Sequence, residues 1–97
     1  QYYYGKHVTQ DYEEAAEWYR KAADQGDADA QDSLGVMYHY GQGVLQDYVM
    51  AHMLYNVASA GGSDSAGKNR DRVAEIMTGE QIAEAQKRAR EYMERPE

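Results

Sequence analysis

Sliding this chain against itself by 36 positions brings its framework residues into coincidence. Tyr4 meets Tyr40, Gly5 meets Gly41, Val8 meets Val44, Gln10 meets Gln46, Asp11 meets Asp47 and Tyr12 meets Tyr48. Further on, Ala15 meets Ala51, Tyr19 meets Tyr55, Ala22 meets Ala58, Gly26 meets Gly62 and Ala30 meets Ala66. A period of this length is the mark of stacked supersecondary units, each too small to bury its own apolar face. Arrays of that kind are usually binding surfaces, so the register points toward recognition before any motif is read.

The chain has 97 residues, enough for one domain and a modest core. The period divides it into a unit at about 1–30, a second at about 31–66, and a degenerate stretch with a cap at 67–97. Gln1–Gly5 aligns with Met37–Gly41, the end of a helix, so the expectation is a C-terminal piece of a longer array. Any targeting segment would then lie upstream, and the compartment stays open. No apolar run is long enough for a transmembrane helix. The absence of cysteine excludes disulfides and thiolate metal sites.

Charge is unevenly placed. Residues 1–67 hold ten acidic and three basic side chains, whereas residues 68–97 hold seven of each. An acidic front half argues against nucleic acid, which needs a basic footprint. It is compatible with a basic partner, although plain solvated helix faces account for it more simply.

Helical spacing of apolar residues predicts an all-α chain. Tyr12, Ala15, Ala16, Tyr19, Ala22 and Ala23 form one stripe, with Glu13, Glu14, Glu17, Arg20, Lys21 and Asp24 opposite. That predicts a helix over 11–24, with Asp11 as its N-cap, His7 in the loop before it and Gly26 closing it. Asp27 or Ala28 opens a helix to about Tyr40, with a stripe of Ala30, Leu34, Met37 and Tyr38. Gly35 inside it suggests close approach of a neighbouring helix, since glycine there costs about 1 kcal/mol against alanine. Gly41-Gln42-Gly43 is a loop, Asp47 caps a helix over 48–60, and Gly61-Gly62 ends it. A further helix is expected over 65–77. Thr78 and Gln81 form a capping box for a last one over 79–94.

Four exposed positions of the first unit (Glu13, Glu14, Glu17, Lys21) become Val49, Met50, Met53 and Val57 in the second. The helix at 48–60 must therefore be covered on more than one side. The final helix offers Ile82, Ala85, Ala89, Tyr92 and Met93 and can fold back as a C-terminal cap. The rival reading is a homodimer or partner interface at Met50 and Met53. A homodimer through the open N-terminal end is a further alternative.

These residues resemble the Sel-1-like repeat, a relative of the tetratricopeptide repeat. The pattern runs through Ala30, Leu34-Gly35, Tyr38, Gly41-Gln42-Gly43-Val44, Asp47, Ala51, Tyr55, Ala58, Gly62 and Ala66. The first unit supplies Gly5, Val8, Asp11, Ala15, Trp18-Tyr19, Ala22-Ala23 and Gly26. It departs where His7 replaces the second loop glycine, Leu54 the tryptophan and Ser59 the second alanine, and the pattern decays after Ala66. The resemblance implies a right-handed α-α superhelix, a solenoid of antiparallel helix pairs. It also implies a concave face that takes a protein or peptide, often in bacterial adaptor, secretion or regulatory proteins. In the related family the first helix of each pair lines that groove. This nominates Asp32, Val36, His39 and Tyr40, with Tyr3 and Tyr4 before them in register and Lys68 and Arg72 after them.

Chemistry is harder to find. His7, His39 and His52 share no helix face at metal-ligand spacing, and Ser33, Ser59, Ser63 and Ser65 lack a nucleophile elbow. Gly41-x-Gly43 follows no strand and reads as a turn rather than a phosphate loop. No cofactor is expected. Some cysteine-rich relatives of the repeat are described as weak β-lactam hydrolases, but they carry paired cysteines that this chain lacks. The remaining alternative to a binding module is a structural or oligomerising end cap.

Overall fold

The computed structural model describes residues 5–95, with side chains from Asp11 onward. Five helices follow in order: α1 (Gly5–Asp24), α2 (Ala28–Tyr40), α3 (Tyr48–Ala60), α4 (Asp64–Ala74) and α5 (Gly79–Glu94). There is no strand among the described residues. Successive helices α1 to α4 pack on one another, and α5 returns to pack on α3.

The caps explain most boundaries. The Asp27 carboxylate accepts from the Ala30 amide at 3.1 Å, and the Asp47 carboxylate accepts from Met50 at the same distance. Thr78 and Gln81 exchange bonds of 3.1 and 2.9 Å, completing the capping box. Each device satisfies amides that the first helical turn leaves without partners. At the end of α2, Gly41 adopts φ +70°, and the Gln42 amide returns to the Met37 carbonyl at 2.9 Å. The next two carbonyls are also taken: Tyr38 by the Asp47 amide and His39 by the Gln46 side chain.

Two boundaries differ from expectation. Asp11 does not cap α1, and His7 does not lie in a loop, because the helix runs on from Gly5. The reason lies in the second unit, where Gly43 needs φ +78° to turn the chain. The first unit has His7 at that register, which lacks the freedom at positive φ that a glycine has, and the backbone there stays helical. At the other end, α4 closes at Ala74 rather than 77. The amides of Glu75, Ile76 and Met77 bond three residues back, tightening the turn so that Met77 packs toward Tyr55 and Val73.

The larger core cluster joins Ala16 and Ala23 of α1, Leu34 and Met37 of α2, Met53, Leu54 and Val57 of α3, and Ala89 of α5. Met50 and Tyr92 pack against its edge. The apolar surplus of α3 is thus met by α5, whose fully buried Ala85 and Ala89 allow close approach. Met93, expected in that stripe, remains half exposed. A second cluster of Ala51, Tyr55 and Val73 sits under Val36, Tyr38 and Tyr48. Gly35 is required there, since a Cβ would stand 2.7 Å from the Tyr55 ring.

The end of α5 ties back to α1. The Tyr92 hydroxyl lies 3.1 Å from the Ala23 carbonyl and 3.0 Å from the Asp24 carboxylate. The Arg95 guanidinium sits 4.0 Å over the Tyr92 ring and reaches Asp24 at 3.3 Å. Gln31, buried and unremarked in the sequence reading, donates to the same Ala23 carbonyl at 3.0 Å.

His52 occupies the register of Ala16 and is buried, as its position predicts. Its Nδ1 has no hydrogen-bond partner among the described residues. Burial holds its pKa below the ordinary 6.5, with the Arg70 charge adding to the effect and Asp71 opposing it. His39 is depressed as well, by burial and then by Arg72. Both rings are therefore neutral when folded and take up protons more readily when unfolded. Stability is complete above pH 6.5 and falls as pH drops below it, by at most about 1.4 kcal/mol per pH unit per histidine. Urea midpoints measured from pH 7.5 to 5.5 will decline, and His52→Ala will flatten the decline while lowering the plateau.

Candidate protein-binding face

The nominated residues fall on the face shared by α2 and α4, with Tyr3 and Tyr4 lying outside the described residues. The structure gives the others different standings. Asp32 is already engaged, accepting from Ser65 Oγ at 2.6 Å and from Asn69 Nδ2 at 3.0 Å. These bonds clamp α4 to α2. Val36 is half-buried against the cluster of Ala51, Tyr55 and Val73.

His39 was expected on the open side of α2 but is buried. Its ring stacks on Tyr40 at 4.3 Å, meets Tyr48 edge-on at 5.9 Å, and stands 3.2 Å from the Tyr55 hydroxyl through Nδ1. Burial pushes the Tyr55 hydroxyl well above its ordinary pKa, so it stays protonated and shares one hydrogen bond with His39 Nδ1, the imidazole tautomer setting which of the two donates. The bond fixes the ring, and the ring supports the outer face of Tyr40.

That leaves Tyr40, Lys68 and Arg72 as the accessible members. Tyr40 is 55% exposed, and Lys68 and Arg72 are exposed on α4. The two cations stand at i and i+4, where like charges are mildly repulsive. Neither forms a salt bridge among the described residues. Aromatic and arginine side chains are the types enriched at the centres of protein interfaces. Sequence reasoning missed Ser65, Asn69 and Tyr55, although Tyr55 carried a signal: it sits at the one register position that faces Gly35.

Among the described residues no cluster of histidine and acidic side chains could hold a metal. No described helix is long and apolar enough to cross a membrane.

Residues 2–27 and 28–63 match the Sel1 repeat, close to the units set by the internal register. Among curated proteins, none matches the chain. Among solved structures, the chain is similar to c5321, described as a protective antigen present in uropathogenic Escherichia coli strains displaying an SLR fold. The two share 37% identity over 86% of this chain at a TM-score of 0.82. The chain spans 18% of the length of that protein. An all-helical array of paired helices in the SLR fold is the architecture of a protein-interaction module, in a family that is typically non-catalytic. With two repeats matched in tandem over most of its length, the chain belongs to the Sel1 repeat family.

Proposed function

We propose that the chain is a non-catalytic interaction module that presents the α2/α4 face, as the concave side of its solenoid, to a protein or peptide partner. The observation that carries this reading is the set of Tyr40, Lys68 and Arg72: an exposed aromatic beside two cations that have no ion-pair partner among the described residues, on helices joined through Asp32. Preorganised side chains of these types cost little entropy on binding. Partners with carboxylates suit the two cations. A basic partner, suggested by the acidic front half, suits the outer face of α1 with Glu13, Glu14 and Glu17. A bacterial regulatory or secretion setting is consistent with the resemblance to c5321. An end-cap role is the second reading, favoured by the way α5 covers α3.

The test is a pull-down from source lysate with the chain beside its Tyr40→Ala/Lys68→Ala/Arg72→Ala variant. All three positions are exposed, so the variant keeps its fold. A partner enriched by the parent will fall at least about tenfold with the variant, which corresponds to about 1.4 kcal/mol. Equal capture by both places the interface elsewhere.

A further inference from the structure

A cleft of about 910 Å³ lies between the ends of α1 and α5. Asp24 lines it from α1, Tyr92 and Met93 from α5, and the buried Val57 and Gln31 from α3 and α2. Its polar groups are linked to one another. The Gln31 amide nitrogen and the Tyr92 hydroxyl meet at the Ala23 carbonyl, at 3.0 and 3.1 Å. The same hydroxyl reaches Asp24 Oδ1 at 3.0 Å, and Arg95 reaches that oxygen at 3.3 Å. Burial, and then the bond to Asp24, push the Tyr92 hydroxyl above its ordinary pKa, so it stays protonated.

Two acceptors are left over. Gln31 is 4% exposed, yet its Oε1 accepts from no described group. Asp24 Oδ2 likewise accepts from no described group. An amide oxygen placed this deep needs a donor from whatever enters the cleft. The electrostatics favour a cation there. Both α1 and α5 finish at the cleft, each with the partial negative charge of a helix C-terminus, and the last turn of α5 contains no basic residue. Arg95, just beyond it, is turned onto the Tyr92 ring and Asp24.

We propose that this cleft takes a lysine side chain of a protein partner, with its ammonium between Gln31 Oε1 and Asp24 Oδ2 and its stem against Val57 and Met93. An ammonium carries three donors and no acceptor, which matches a site of leftover acceptors. Its methylene stem suits the apolar walls. The acidic balance of residues 1–67 draws such a partner. Arg95 shares Asp24 with the incoming ammonium, so the two cations compete. Tyr40, Lys68 and Arg72 take no part, and neither reading depends on the other.

The experiment titrates the isotope-labelled 97-residue chain with Nα-acetyl-lysine methylamide, following the Gln31 side-chain amide by nuclear magnetic resonance. That resonance will shift with a dissociation constant of about 1 mM. The norleucine counterpart keeps the stem, lacks the ammonium, and will bind at least about tenfold more weakly. This comparison uses the parent chain and needs no variant. Asp24→Asn will weaken the lysine probe about tenfold, and Arg95→Gln will tighten it about threefold. Both positions are exposed, and circular dichroism will check that the fold is kept. No shift at Gln31 up to about 20 mM probe, or equal binding by the norleucine counterpart, overturns the proposal. Weaker binding by both variants assigns the effect to the Tyr92 hook rather than to charge, and overturns it too. So does tighter binding of n-butylammonium, which gives the cleft to a free amine.

Discussion

Tyr55→Ala will cost about 3–5 kcal/mol, while the same change at Tyr19, one period earlier, will cost about 1 kcal/mol or less. Tyr55 fills the gap over Gly35, anchors the cluster with Ala51 and Val73, and partners His39. Removing it opens a cavity between α2, α3 and α4 and leaves the His39 Nδ1 without its hydrogen-bond partner. Tyr19 is a good part exposed and lines an open cleft, so its loss leaves little unfilled. Net stabilities of domains are about 5–15 kcal/mol, so the first variant stands near its unfolding threshold at room temperature. Urea melts followed by circular dichroism will separate the pair. Equal losses would mean that the first repeat is packed as tightly as the second.

Gly43→Ala is the second large effect, expected at about 3 kcal/mol or more, against about 1 kcal/mol for Gly26→Ala. Both glycines hold a positive φ, +78° at Gly43 and +94° at Gly26, so both substitutions strain the backbone. They differ in surroundings. A Cβ at Gly26 meets nothing within 4 Å, whereas at Gly43 it runs into the Tyr12 carbonyl and the Glu13 amide nitrogen. Those are backbone atoms in the middle of α1 and cannot swing aside. The loop after α2 would have to lift from α1, loosening the junction between repeats. Thermal melts of the two alanine variants give the comparison directly: similar shifts would show that conformational strain alone sets the cost.

Much of this architecture could be read from residue types because the devices that set it are local. Asp27, Asp47 and the Thr78/Gln81 pair act within one turn, so the chain itself announces where α2, α3 and α5 begin. The 36-residue register added which helix would be buried on several sides, since Met53 and Val57 replace charged positions. Asp11 misled because it sits in register with a true cap, Asp47, while the turn that frees Asp47 depends on Gly43, four residues before it. The binding face was legible only in part. That His39 would be buried, and Asp32 consumed by Ser65 and Asn69, depends on how closely α2 and α4 approach, which no residue on either helix specifies alone. The exposure of Trp18 is set by its neighbours in space rather than by its own type.

The hook between the two ends of the chain has a consequence for cooperativity. Linear arrays can fray one repeat at a time, because each unit touches only its neighbours. Here Tyr92 and Arg95 grip residues 68 to 71 positions away, at the end of α1. Loss of α5 therefore uncovers α3 and frees the Ala23 and Asp24 carbonyls at the end of α1 in one event. The stack is thus tied back on itself at this end, and unfolding from α5 inward is expected to be more cooperative than the fraying of a simple linear stack.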